Sequence, residues 1–314
     1  MGLHQPKCPV ELLSVWRFVF KTWASGGLLG PAVDCYHERK WTANPKGRGV
    51  TAVEFRLTES AVVFDVHPKV QAWFTTRLGG VSDAPFDTLN LSYGVGDRSE
   101  AVTENRRRAV RAFGRTLDEV VMPHQVHRNH IEWVSRQWRG RGSAGRDSIP
   151  ATDGFLSDDS GVVLAMGFAD CVPIYLTDFD ARVVGLLHAG WRGTAAEIQG
   201  LAVNALNAQG IDPSRILAGI GPSIGPCCYE VDSPVYEAIT RVAGSEPLTV
   251  KDGTHWWLDL KLANRILLER AGVLPDHIVE APFCTGCRPD LFFSYRMQGR
   301  VSGRMGGYIC LNAS

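Results

Sequence analysis

The stretch ADCVPIYLTDFDARVVGLLHAGWRG, residues 169–193, gathers a thiol (Cys171), an imidazole (His188), a carboxylate (Asp170) and a guanidinium (Arg192) around what reads as one turn. A thiolate and a neutral imidazole are ligand types that zinc takes in tetrahedral sites. Without metal, the same pair can serve as nucleophile and base. VPIYLT and RVVGLLH are short β-branched runs of strand type, and the residues between them read as a hairpin loop. With a two-residue loop at Phe179 and Asp180, Cys171 stands opposite His188, their β-carbons about 5 Å apart on one face. A slip of one residue would put them on opposite faces.

After His188, AGWRGTAAE reads as a glycine-flanked turn into a helix, whose free amides suit a phosphate or carboxylate, with Arg192 adding a forked pair of donors. Asp170 could orient a ligand, act as a base, or cap the turn. A catalytic zinc site needs a third protein ligand. PHQVHRNH offers His124, His127 and His130, and in extended chain at most two of them face one side.

Other motifs read more blandly. CTGC at 284–287 is a single CxxC, and Cys227 and Cys228, being adjacent, are poor partners for completing a zinc ribbon. The expectation is a packed thiol pair in a tight turn, with a redox pair as the alternative. GPSIGPCC reads first as a rigid turn. FFSYRMQGRVSGRMGG interleaves aromatic residues with Arg296, Arg300 and Arg304, but it is too short, in too neutral a chain, to argue for nucleic acid.

The elements that must position these residues alternate from VQAWFTTRLGG onward. RSEAVTENRRRAVRAFG and GTAAEIQGLAVNALNAQG read as long helices, the second with Ile198, Leu201, Ala202, Ala205 and Leu206 on the 3.6 period, Thr194 and Glu197 as a capping box and Gly210 as its stop. VVLAMGF and RILAGI join the hairpin runs as strands, and RGRGSAGRDSIPATDG reads as a flexible surface loop. Strands interleaved with helices and at least one hairpin predict an α+β fold of mixed sheets. Residues 1–60, polar and turn-rich toward their end, read as an extension, poorly ordered or docked outside a domain at 61–314.

The chain has 314 residues, 45% of them apolar, enough for an ordinary core. Lys plus Arg and Asp plus Glu balance at 33 each, so no net field draws it to nucleic acid or a membrane surface. No uncharged apolar run of spanning length occurs. Eight cysteines are too sparse for a disulfide scaffold and read as thiols, which makes the cytoplasm the expected compartment.

FTTRLGGVSDAPFDTLNLSYGVGD, AVTENRRR, HQVH, DGFLSDDSGVVLAMGFADCVPIYLTD, LLHAGWRGT, GPSIGPCCYEV and CTGCRPDLFFSYRMQGRVSGRM, in this order from about Val70 to Leu311, resemble the YfiH-like family. That family has been described both as laccase-domain polyphenol oxidase and as zinc-dependent purine nucleoside phosphorylase. The resemblance implies layered mixed β-sheets flanked by helices, related to the catalytic domains of cytotoxic necrotizing factors. It also implies a metal site of His127, Cys171 and His188, with Arg77 and Arg192 lining the same pocket and binding substrate or phosphate. The oligomeric state, monomer or homodimer, stays open.

The leading expectation is a zinc enzyme that cleaves purine nucleosides (adenosine, inosine, methylthioadenosine) with phosphate and deaminates adenosine, with Cys171, His188 and Asp170 catalytic and Asp170 relaying protons. The second is a copper-binding polyphenol oxidase, since N and S ligands also suit Cu2+. A chain with nine histidines and no His-X-His pair is poorly equipped for multicopper chemistry. The third is a Cys/His or zinc amidase in peptidoglycan precursor editing, and the fourth a non-catalytic, metal-stabilised partner protein.

Overall fold

The computed structural model describes residues 41–43, 53–145 and 147–312. In chain order the strands are β1 (Trp41–Ala43), β2 (Val53–Leu57), β3 (Ala61–Asp65), β4 (Val70–Thr75), β5 (Val120–Val121), β6 (Ile131–Trp133), β7 (Gly154–Ser157) and β8 (Val163–Phe168). They continue as β9 (Val172–Asp178), β10 (Val184–Ala189), β11 (Ile216–Ile220), β12 (Glu230–Val231), β13 (Leu248–Val250), β14 (Trp256–Leu258), β15 (Ile278–Glu280) and β16 (Met305–Leu311). The α-helices are α1 (Ser99–Arg111), α2 (Trp191–Ala195), α3 (Ile198–Ala208), α4 (Ser233–Ala243), α5 (Leu260–Arg270) and α6 (Tyr295–Gln298).

Two mixed sheets stack face to face. One has the order β1-β2-β3-β4-β16-β8-β5, the other β15-β11-β9-β10-β7-β6, and a three-stranded sheet, β12-β14-β13, stands apart. Phe64, Phe74, Met166 and Ile309 from the first sheet meet Phe155, Tyr175, Leu186 and Leu217 from the second in one buried cluster. Alternation along the strands does the rest. Tyr175 and Leu186 are cross-strand partners facing that cluster, whereas the next pair, Ile174 and Leu187, faces α3, α4 and α5 on the opposite side. Trp73, Ala165 and Tyr308 turn outward from the first sheet against Ala109 and Val110 of α1. The result is four layers, helix, sheet, sheet, helices, in the α+β class expected. Strands β9, β10 and β11 are buried along their whole length, as strands between two apolar layers must be. Each large aliphatic side chain buried there stabilises by about 1.5–3 kcal/mol.

Three sequence expectations change. The segment read as one long helix is two: α2 ends at Ala195, Glu197 adopts a left-handed φ of 53°, and α3 starts at Ile198. The capping box therefore does not form; Thr194 lies inside α2 and its hydroxyl accepts from Asn264 Nδ2 at 3.0 Å. Gly210 does act as the stop, just past α3 with φ of 79°. The β9–β10 loop runs over 179–183 and is closed by Asp178, whose carboxylate takes the Arg182 amide at 2.7 Å. His188 consequently pairs with Pro173 rather than with Cys171. At the other end of the chain, β2 already belongs to the first sheet; the rest of the expectation for residues 1–60 falls largely outside the described residues.

Candidate active site

Strand β8 belongs to one sheet and β9 to the other, so Ala169, Asp170 and Cys171 carry the chain across. Asp170 makes the crossing with a left-handed φ of 84°, a conformation that Asp tolerates better than most side chains. Cys171 is thereby set at the mouth of the layer between the sheets, beside His188, which continues the inward face of Leu186. The two-residue difference in register preserves this sharing of a face, because side chains alternate with a period of two. The residue level with Cys171 is Gly190, where a β-carbon would come within 2.9 Å of the sulfur.

His127 completes the group. Its ring stands edge-on to that of His188, centroids 4.8 Å apart, and one ligand atom from each of His127, Cys171 and His188 lies within 4.8 Å of the others. His127 has a left-handed φ of 60°, so HQVH is a tight bend rather than the extended run the spacing suggested. Of the other two histidines offered there, His124 also borders the cavity, and His130 turns away to Glu132 at 2.9 Å.

The bend is organised by Asp153, which the sequence reading did not single out. Its fully buried carboxylate accepts the backbone N–H groups of Val126, His127 and Arg128 at 3.1, 3.0 and 2.8 Å, and faces Nδ1 of His188 at 2.8 Å. Burial opposes the charge, but the bonds from His188 and the amides hold the acid below its usual pKa. A bond at Nδ1 leaves Nε2 of His188 to face Cys171, the usual arrangement behind a metal-ligating histidine. Asp153 immediately precedes β7, and the pairing of β7 with β10 sets it beside His188, a contact that no local signal in the chain announces.

Cys171 and His188 form a polarised pair. Burial works against the thiolate, yet the His188 charge and the hydrogen bonds from both histidines draw the Cys171 pKa down to about 6. Burial also works against the imidazolium, and the Cys171 thiolate with Asp153 raises His188 to about 9. Such a sulfur is a ready metal ligand and nucleophile.

The three residues border a cavity of about 1190 Å³. Arg192, Arg296, Arg300 and Arg304 also line it, the last three from the stretch that interleaves arginines with aromatic residues. Arg192 lies over the Trp191 ring at 4.2 Å, and α2 behind it is a single short helix rather than the start of a long one. Asp170 borders the cavity as well: it accepts Thr285 Oγ1 at 2.6 Å and the Arg296 N–H at 2.7 Å. Its burial raises its pKa, against the pull of those donors. Part of the stretch read as a flexible loop forms a wall, because buried Arg106 donates to the carbonyls of Gly142 and Ser143, both at 2.8 Å. Arg77 is not brought to the cavity. It donates to the carbonyls of Asp87 and Pro289 at 2.7 and 3.0 Å, pairs with the Asp87 carboxylate and lies over Phe293.

A family model described as multi-copper polyphenol oxidoreductase laccase matches residues 71–312. The chain belongs to this family. Relatives within it carry nucleoside-enzyme names. The purine nucleoside phosphorylase YlmD of Geobacillus stearothermophilus is 42% identical, the match covering 76% of this chain and 89% of that one. An adenosine deaminase, RL5, from an unknown prokaryotic organism is 35% identical over 75% of this chain and 91% of the relative. Among solved structures, Bacillus licheniformis YfiH superposes with a TM-score of 0.80 at 36% identity, over 82% of this chain and 99% of that one. Despite the family's description, the histidine-bearing group of potential ligands among the described residues holds two histidines and one cysteine, a set suited to one ion.

Among the described residues no helix is long and apolar enough to cross a membrane.

Proposed function

We propose that this chain is a zinc-dependent purine nucleoside phosphorylase that also deaminates adenosine. The supporting observation is the convergence of His127, Cys171 and His188 at the edge of an arginine-lined cavity, with Asp153 fixing the His188 tautomer. The names of the relatives support the same reading. Two imidazoles and a thiolate fit zinc, and three protein ligands leave a position open.

In phosphorolysis a phosphate oxygen bonds to the ribose anomeric carbon while the glycosidic C–N bond breaks, its electron pair leaving with the purine, which takes a proton. Arg192, Arg296, Arg300 and Arg304, which line the cavity, neutralise and orient the phosphate. Asp170, oriented by Thr285 and the Arg296 N–H, holds and releases the proton that the base requires. Zinc held by His127, Cys171 and His188 would supply Lewis acidity and, for deamination, a water of lowered pKa. Copper on the same ligands, as a polyphenol oxidase, is the second reading, carried by the family's description.

Single replacements His127→Ala, Cys171→Ala and His188→Ala test the assignment by metal analysis beside nucleoside turnover. Zinc and turnover should fall together in all three. Full activity in Cys171→Ala would overturn it, and phenol oxidation that follows bound copper, with nucleosides untouched, would favour the second reading.

A further inference from the structure

Away from the cavity's histidines, the turn and the CxxC that the sequence kept apart come together. Ser223 and Cys284 form a parallel bridge, and the Thr285 amide donates to the Ser223 carbonyl at 3.0 Å. The chain then turns at Pro226–Cys228, where the amides of Cys228 and Tyr229 both donate to the Gly225 carbonyl at 3.0 Å. This helix-like turn corrects the expectation for adjacent cysteines. Neighbours on a strand point to opposite faces, but neighbours on a helical turn diverge by only about 100°, so both thiols can serve one centre.

All four sulfurs, those of Cys227, Cys228, Cys284 and Cys287, lie within 4.8 Å of one another. Cys287 Sγ stands 3.2 Å from Cys227 Sγ and 3.4 Å from Cys228 Sγ, well beyond the ~2.05 Å of a disulfide. A zinc ion with four Zn–S bonds of ~2.3 Å requires sulfurs about 3.8 Å apart at tetrahedral corners. The surroundings are built for sulfur. The Gly225 N–H donates to Cys284 Sγ at 3.2 Å, as amides do around metal thiolates. A β-carbon at Gly286 would lie 3.0 Å from Cys228 Sγ, and one at Gly225 would lie 3.5 Å from the sulfurs of both Cys227 and Cys284. Cys284 is buried and Cys287 exposed, which leaves the cluster open to an ion from solvent.

We infer that Cys227, Cys228, Cys284 and Cys287 form a second metal site, structural and all-thiolate, that takes a thiophilic divalent cation of the zinc class. The site closes a loop pair whose inner residue, Thr285, holds Asp170 beside Cys171. Metal there braces one wall of the cavity without touching substrate.

The test uses full-length protein in which His127 and His188 are both replaced by alanine. It should retain one zinc per chain, against two in the parent, and cobalt exchanged into it should give the charge-transfer and ligand-field bands of a tetrahedral all-sulfur site. The Cys284→Ser, Cys287→Ser double variant should keep one zinc on the histidine side. In the zinc-loaded parent, peptide-resolved alkylation should spare all four cysteines until a chelator is added. Absence of metal from the His127→Ala, His188→Ala variant, disulfide masses among the four, labile sulfide with iron, or free alkylation of Cys287 in the loaded parent would each overturn the assignment.

Discussion

Asp153 touches both histidines of the site at once: its Oδ1 lies 2.8 Å from Nδ1 of His188 and 3.0 Å from the backbone nitrogen of His127. One carboxylate thus fixes a ring orientation on β10 and a backbone bend 26 residues before itself in sequence. Asp153→Asn keeps the shape, removes the charge and presents an N–H₂ to groups that are themselves donors. Zinc affinity should fall about 10–100-fold, the usual cost of losing such a partner. Competition against a chromophoric chelator measures it, with circular dichroism expected to stay that of the parent.

Gly190 offers a separate test of the crowding around the sulfur. Its φ of −71° and ψ of 172° suit any residue, so Gly190→Ala should fold normally. The added carbon would stand 2.9 Å from Cys171 Sγ and 3.5 Å from His127 Cδ2, which forces the sulfur to move. Turnover should drop by on the order of tenfold or more, because small misplacements of reacting groups are costly. The midpoint of thermal unfolding should barely change.

The thiolate–imidazolium pair predicts a pH profile for the metal-stripped protein. With Cys171 drawn down to about 6 by His188 and His127 against the effect of burial, its thiolate populates above that pH. Peptide-resolved alkylation of Cys171 should therefore rise through an inflection near pH 6. His188→Ala removes the main source of the lowering, so the inflection should move upward, toward the range of an ordinary thiol.

Two arginines that the sequence paired should separate. Arg192→Lys keeps a charge at the cavity but loses the fork, so KM for phosphate should rise on the order of tenfold while zinc content is unchanged. Arg77→Met removes the charged bonds that a buried guanidinium makes to the Asp87 and Pro289 carbonyls, and should cost about 2 kcal/mol of stability. Its phosphate KM should stay at the parent value. Steady-state kinetics and denaturant unfolding read the two effects.

Where local chemistry decides, the sequence was legible. The strands containing Leu164, Ile174, Leu186 and Ala218 follow from β-branched runs, and α1 from its period. The hairpin's loop is longer than its turn residues suggest, because the Asp178 carboxylate closes it. The Cys171–His188 partnership is insensitive to that difference, since a two-residue shift keeps a face while a one-residue shift does not. Long-range contacts were not legible. Asp153 meets His188 only because β7 pairs with β10, and Cys228 meets Cys287 across 59 residues. The break at Glu197 was hidden for another reason: the apolar period continues through it, and only the backbone φ reveals the stop.

The central claim is that the histidine–cysteine site serves nucleoside cleavage by phosphate. Its most direct test is a chromatographic assay of adenosine turnover by zinc-quantified protein, with and without phosphate. The account predicts adenine only when phosphate is present, with a ribose phosphate in equal amount, and inosine in either case. Zinc-loaded protein that releases no free purine base when phosphate is present, or releases it equally without phosphate, would contradict it.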